Sequence, residues 1–146
     1  MRFFSLFLTF VVLALIVAKA DAQTRCSKKQ YKQASDKADQ LGSWDSARDF
    51  YRQYRQCDDG GIGEGVSDAV TTLLANHWDD FPKLVVISTA NPGFEKFVLR
   101  HIDATVPVET LQSISKNARG RCPQKAAGLC KMIAAAASSA IKESEK

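Results

Sequence analysis

Residues 57–68, CDDGGIGEGVSD, separate two apolar helical patterns and are the segment around which the chain is organised. In this segment a cysteine precedes two aspartates, and four glycines surround a further acidic pair, Glu64 and Asp68. Glycine weakens a helix and favours turns, whereas aspartate commonly caps one. The composition therefore predicts a mobile elbow between two helices, and packing alone does not account for its four carboxylates.

Upstream of the elbow, two short helical stripes meet at Gly42 and Ser43. Gly42 can end the first helix in a left-handed conformation, and Ser43 is a natural N-cap for the second. Two helices joined by so short a turn lie antiparallel. Cys26 and Cys57 lie 16 residues before and 15 residues after Gly42. We therefore expect a disulfide between them that closes the open end of the hairpin.

Residues 27–57 also resemble a tetratricopeptide helical hairpin. The resemblance rests on small residues where the helices touch, a short Gly-containing turn and aromatic positions on the second helix, namely Ala34, Ala38, Leu41, Gly42, Trp44, Ala47 and Tyr51. It implies close packing of the two helices and a tendency to bind other proteins.

Downstream of the elbow, apolar residues at helical spacing run from Ile62 to Phe81, and Asp59 is the expected N-cap of that helix. Residues 83–87, KLVVI, favour a strand by propensity. Because no other segment offers a partner strand, we expect a short buried helix there. Proline marks the start of each later helix, at Asn91-Pro92, Val106-Pro107 and Cys122-Pro123. The pattern predicts an all-α, compact, helical-repeat-like single domain of six to seven short helices with two disulfides.

The second disulfide would join Cys122 and Cys130, and it requires a bent connection. Eight residues of straight helix rise about 12 Å, whereas bridged Cα atoms lie roughly 4.4–6.8 Å apart. The pair therefore forms only if the last helix begins after about Ala126 and residues 123–125 curl back. The alternative joins Cys57 to Cys122 or Cys130, and Cys26 to the other.

The first 22 residues have the pattern of a secretory signal peptide. A positive Arg2 precedes an apolar segment at residues 3–17, and small residues at Ala20 and Ala22 suit signal peptidase. The segment is short for a membrane span of about 20 residues. We expect cleavage after Ala22, which leaves a helical domain at residues 23–146 in the periplasm or extracellular space, without a stable membrane anchor. An uncleaved anchor is the alternative.

The charge pattern bears on the class of partner. The chain has 20 Lys and Arg against 16 Asp and Glu, and the two signs are interspersed. A concentrated basic patch is typical of nucleic-acid binding, and the interspersed charges do not form one. We therefore expect no nucleic-acid partner. The four cysteines suit disulfides in an exported chain, and His77 and His101 are isolated positions expected in the core or at its rim. We expect no metal or cofactor.

The candidate binding residues are the elbow carboxylates and three aromatic side chains, namely Asp58, Asp59, Glu64, Asp68, Trp44, Tyr51 and Trp78. Glu64 and Asp68 are four residues apart and share one helical face. Paired carboxylates are what glycoside hydrolysis requires. They also suit an acidic recognition surface.

A structural role is the simplest interpretation of the same carboxylates. Asp59 would cap a helix, and Glu64 would interact favourably with the helix dipole. Asp68 would pair with one of three arginines of the second helix, Arg48, Arg52 or Arg55.

The sequence favours a non-enzymatic helical protein-binding module that works outside the cytoplasm. Its most concrete form is a periplasmic inhibitor or immunity-type protein, by analogy with other small exported helical domains. One alternative is a small secreted hydrolase that uses Glu64 with Asp68 or Asp58. Another is a carrier that holds an apolar ligand between helices, which the aromatic-rich stripes of the second and third helices suggest.

Overall fold

The structure is a computed structural model that describes residues 25–146, and within this range the chain is all-α. Residues 25–146 form seven α-helices and three short 3₁₀ segments and contain no strand. The helices are α1 Lys28–Ala38, α2 Trp44–Tyr54, α3 Gly60–Asn76, α4 Phe81–Ala90, α5 Pro92–Arg100, α6 Val108–Gly120 and α7 Ala127–Ser144. The predicted fold class is confirmed. The predicted signal peptide at residues 1–22 lies outside the described range.

Helices α1 and α2 form the expected hairpin. Ser27 and Ser43 cap them, each in a capping box with the residue three positions later. The predicted Cys26–Cys57 bond, here called the hairpin disulfide, is present. One expectation is wrong: in the described part of the chain only Gly60 has a positive φ, so Gly42 is not a left-handed cap. Helix α1 instead ends at Ala38, and tight turns lead to Ser43.

The elbow is shorter than the glycine content predicts. Gly60 adopts φ 52° at the start of α3, where the Asp59 side chain accepts a hydrogen bond from its N–H at 2.8 Å. The other three glycines lie inside α3. A Cβ at Gly65 would stand 3.6 Å from that of Ala38, so a small residue suits the close approach of α1 to α3. The bend itself is confined to the residues around Asp59.

Residues 83–87 are helical, as expected, but the helix is not wholly buried. Leu84 and Ile87 face the core, whereas the side chain of Val86 is 70% exposed. Helix α4 follows directly on a 3₁₀ turn at Trp78–Asp80, where the rings of Trp78 and Phe81 stack with centroids 4.1 Å apart. The β-branched residues of α4 therefore serve helix packing and not a sheet.

Helices α6 and α7 pack along each other, and α6 also packs on α3. The Asn117 side chain donates to the carbonyl groups of Leu74 and Ala75 at the end of α3. The Cys122–Cys130 bond, here called the α7 disulfide, is present with Cα atoms 6.1 Å apart. It forms because residues 124–126 make a 3₁₀ turn before α7 begins.

No helix in residues 25–146 is both long and apolar enough to cross a bilayer. The two disulfides are typical of chains that fold in an oxidising compartment.

Candidate functional site

The structure separates the four elbow carboxylates into three environments. Asp58 is enclosed, with 1% of its side chain exposed. Asp59 caps α3, as predicted. Glu64 and Asp68 are exposed on the outer face of α3. The elbow is therefore not one acidic cluster, because its first carboxylate points into the protein and its last two point outward.

Asp58 belongs to a buried line of hydrogen bonds, here called the polar bridge, formed with His101 and Ser67. Asp58 Oδ2 lies 3.0 Å from His101 Nε2, and His101 Nδ1 lies 2.9 Å from Ser67 Oγ. His101 is 4% exposed and Ser67 is 6% exposed. The bridge ties the start of α3 to the end of α5, 43 residues further along the chain.

Arg100 completes the charge balance of the bridge. Its guanidinium forms an ion pair with Asp58 Oδ2 and lies over the Phe97 ring, 5.3 Å from the centroid. The second oxygen, Asp58 Oδ1, has no hydrogen-bond partner in the described structure. It lies where a Cβ on Gly63 would be 3.5 Å away, at the N-terminal end of α3. The positive end of the helix dipole helps to stabilise this buried carboxylate.

The hydrogen bonds determine the tautomer of a neutral His101 ring. An ionised Asp58 only accepts, so His101 donates from Nε2 and its Nδ1 accepts from the Ser67 hydroxyl. Burial lowers the pKa of His101 to about 4; the positive charge of Arg100 acts in the same direction, and the Asp103 carboxylate opposes both. Because Arg100 partly neutralises the charge of Asp58, burial has the larger effect on the pKa of His101. The ring is therefore neutral at physiological pH.

Ser67 also faces Asp103, whose Oδ2 lies 3.5 Å from the serine hydroxyl. The other oxygen, Asp103 Oδ1, accepts hydrogen bonds from the backbone N–H and the hydroxyl of Thr105. If His101 gains a second proton, its Nδ1 becomes a donor to Ser67, and the serine hydroxyl is free to donate to Asp103. The direction of hydrogen bonding in the bridge therefore depends on one proton.

The polar bridge contains the residue types of a serine-hydrolase triad, with the two ring nitrogens exchanged. The surroundings of Ser67 do not suit a nucleophile. Ser67 lies in the middle of α3, where the backbone N–H groups serve the helix itself. Across from it, the N–H of Thr105 is bonded to Asp103. No oxyanion hole is assembled from these groups, and the bridge is best explained as a structural tie.

Two clefts flank the outer face of α3. The larger, about 560 Å³, lies between α3 and the α1–α2 turn and is lined by Asp39, Asp68 and His77 among others. The smaller, about 200 Å³, lies between α3 and residues 105–107 and is lined by Glu64 and Asp68, with Ser67 in its wall. Asp68 borders both clefts. We call Asp39, Glu64 and Asp68 together the acidic ridge.

The carboxylates of the acidic ridge have no Lys, Arg or His partner within 4 Å in the described part of the chain. The expected pairing of Asp68 with an arginine of α2 is therefore wrong. Arg48 pairs with Asp45 and Asp49 instead, and Arg55 stacks on the Tyr51 ring. No group of three or more His, Cys, Asp or Glu side chains within residues 25–146 is arranged to hold a metal ion.

The three aromatic candidates belong mainly to the core. Trp44 is 1% exposed and Trp78 is 4% exposed. The Trp78 indole N–H donates to the carbonyl of Arg121 at 3.0 Å, which fixes the ring in place. Tyr51 is half-buried, and its ring packs against Phe94 and Phe97. Neither tryptophan is accessible as an anchor for a partner, so the binding role stays a prediction for the exposed carboxylates.

Sequence reasoning missed Ser67, Arg100 and Asp103. One signal pointed to them: His101 continues the apolar stripe of α5, so its ring had to meet the core, where a polar group requires partners. Which partners it meets depends on how α3 and α5 pack.

Comparisons of the chain with protein-family models, curated proteins and solved structures find no match. Functional inference therefore rests on the geometry of the site.

Proposed function

We propose that this chain is an exported, non-enzymatic helical module that binds another protein, with the acidic ridge as its binding surface. The observation that carries the proposal is the position of Asp68, which is exposed, borders both clefts and has no cationic partner within 4 Å in the described structure. A protein segment that presents Lys or Arg complements such a surface. A periplasmic inhibitor or immunity-type protein is the most concrete form of this role.

The exposure of Glu64 and Asp68 argues against the hydrolase alternative. A glycosidase needs one carboxyl group kept protonated, which enzymes achieve with apolar surroundings. Both side chains are instead open to water at the rims of shallow clefts. The buried carboxylate, Asp58, is committed to Arg100 and His101.

The carrier alternative depends on free space between aromatic helices. The rings of α2 pack against α5 instead, as Phe50 does with Phe97. At the end of the stripe that begins at Ile62, the rings of Trp78 and Phe81 stack on each other. This packing supports a core function for the aromatic residues and leaves the acidic ridge as the better surface for recognition.

The test is affinity capture from the native extract with the purified exported protein as bait. A captured partner is then purified and its binding measured by calorimetry. We expect the double variant Glu64→Gln, Asp68→Asn to weaken binding by at least about tenfold, because it removes two charges from the surface that faces the partner.

The matched control is Glu143→Gln, Glu145→Gln, which removes the same charge at the exposed end of α7. It should bind as the wild type does. A partner that binds both double variants equally well would contradict the proposal, as would the absence of any stoichiometric partner. Turnover of cell-wall glycans or peptides that Glu64→Gln abolishes would favour the hydrolase.

A further inference from the structure

We propose that the α6–α7 hairpin carries a second docking surface, which takes an acidic helical segment of a partner protein. The surface is an open groove of about 450 Å³ that lies away from the acidic ridge. Alanines form its floor, the α7 disulfide closes it, and Arg119 and Lys131 flank it.

The floor suits close approach by another helix. Ala118 of α6 lines the groove together with Ala127, Ala134 and Ala135 of α7, so its floor consists of short side chains. The distance between two packed helices depends on the side chains at their contact, and small residues permit the shortest distances. The groove therefore matches the backbone and short side chains of a helix.

The two basic side chains at the groove have no carboxylate within 4 Å among the described residues. Arg119 is held in place, because its guanidinium donates to the hydroxyl groups of Ser115 and Ser138 at 3.2 and 3.1 Å. Lys131 is exposed in the first turns of α7, next to Cys130 of the α7 disulfide. The positive charge at the groove is therefore uncompensated, and the charge of Arg119 is also fixed in position.

The surrounding segment shares this charge. Residues 104–146 contain seven Lys and Arg against three Glu, whereas residues 25–103 contain eleven Lys and Arg against twelve Asp and Glu. The net positive charge of the described chain therefore resides in the α6–α7 unit. Charge complementarity selects an occupant rich in Asp or Glu.

The shape favours a protein segment over a lipid. An acyl chain requires an enclosed apolar cavity, and this groove is open along its length. A helix with acidic side chains fills the floor and reaches both Arg119 and Lys131.

The experiment uses fluorescence anisotropy with the purified exported protein and a labelled helical peptide of Glu, Ala and Leu. We expect binding that weakens as salt screens the charges. Lys131→Glu should weaken binding by at least about tenfold, because it places like charges together. Ala135→Trp, an exposed position on the floor, should block binding by bulk without altering the core.

Lys28→Glu is the matched control, because Lys28 is exposed on α1 and the substitution makes the same change in charge. It should alter affinity by no more than about twofold, as expected for a charge outside the interface. The acidic-ridge variant Glu64→Gln, Asp68→Asn should also bind the peptide normally, which separates this proposal from the preceding one.

Several results would overturn the docking surface. One is a peptide with Gln in place of Glu that binds as tightly as the acidic peptide. Another is a loss of affinity in the Lys28→Glu control that equals the loss in Lys131→Glu. A third is binding of the protein to anionic phosphatidylglycerol vesicles without binding of the peptide. Self-association of the protein that Lys131→Glu abolishes, in the absence of peptide binding, would assign the groove to a second copy of the chain instead.

Discussion

His101 should contribute to the loss of stability of this protein on acidification. The ring is buried in the polar bridge between Asp58 and Ser67, and its pKa is lowered to about 4. In the unfolded chain the pKa of a histidine is about 6.5. The unfolded state therefore binds more protons between these two values. The stabilisation that the neutral ring provides is complete above about pH 6.5 and is lost as the pH falls towards 4.

The magnitude follows from the difference between the two pKa values. A shift of about 2.5 pKa units corresponds to about 3 kcal/mol of stability in the limit of low pH, and about 2 kcal/mol is already lost at about pH 5. Four groups face the ring. Burial of the ring and the charge of Arg100 favour the neutral form, and the carboxylate of Asp103 opposes them. Asp58 accepts a hydrogen bond from Nε2 in either form, and Ser67 can serve either form.

The assay is urea unfolding at a series of pH values, followed by tryptophan fluorescence. Trp44 and Trp78 are both buried, so their emission reports unfolding. His101→Gln removes the titrating ring, and the difference in free energy of unfolding between wild type and variant cancels the carboxylates that lie outside the polar bridge. The wild type should be more stable at neutral pH, and this advantage should shrink on acidification. His77→Gln is the matched control, because it makes the same substitution at an exposed position outside the polar bridge.

The opposite trend would refute this reasoning. If the advantage of the wild type grows as the pH falls through 6.5, the pKa of His101 is raised in the folded state. The carboxylates of Asp58 and Asp103 would then outweigh burial and Arg100. The bridge would be an ion-pair network that requires a charged ring.

Three further perturbations test the packing. Ser67→Ala should lower the free energy of unfolding by about 1–3 kcal/mol, because it leaves a buried ring nitrogen of His101 unsatisfied; a loss below a few tenths, measured by urea unfolding, would remove Ser67 from the bridge. Gly93→Ala should destabilise the protein by about 1–3 kcal/mol, because the new Cβ would collide with the Tyr51 hydroxyl. Gly128→Ala has open space around it and should stabilise α7 by up to about 1 kcal/mol. Equal thermal shifts for the two variants would contradict the close approach of Gly93 to Tyr51. Replacing both cysteines of the hairpin disulfide, which are 31 residues apart, by serine should lower the free energy of unfolding by about 3.7 kcal/mol. The same change at the α7 disulfide, whose cysteines are 8 residues apart, should lower it by about 2.5 kcal/mol. The reverse order in calorimetry would show that loop entropy does not govern the stabilisation by these bonds.

Much of the fold could be predicted because its signals are local. Apolar spacing, serine caps and proline at helix starts act within about one turn of helix. The hairpin disulfide follows from the symmetry of Cys26 and Cys57 about a short turn. The α7 disulfide could be predicted only as one of two alternatives, because it requires the chain to bend before α7 begins, as it does in the 3₁₀ turn at residues 124–126.

The site was decided by tertiary structure, because its partners are far apart in the chain. Asp58 and His101 are 43 residues apart, and Ser67 and His101 are 34 apart. Asp58 points into the protein and Asp59 does not. This choice depends on the angle at which α3 leaves the elbow and on where α5 packs. Helical periodicity indicates that His101 faces the core but carries no information about the helix it meets there. The same holds for the α6–α7 groove, whose charges can be counted in the sequence but whose alanine floor exists only where two helices pack together.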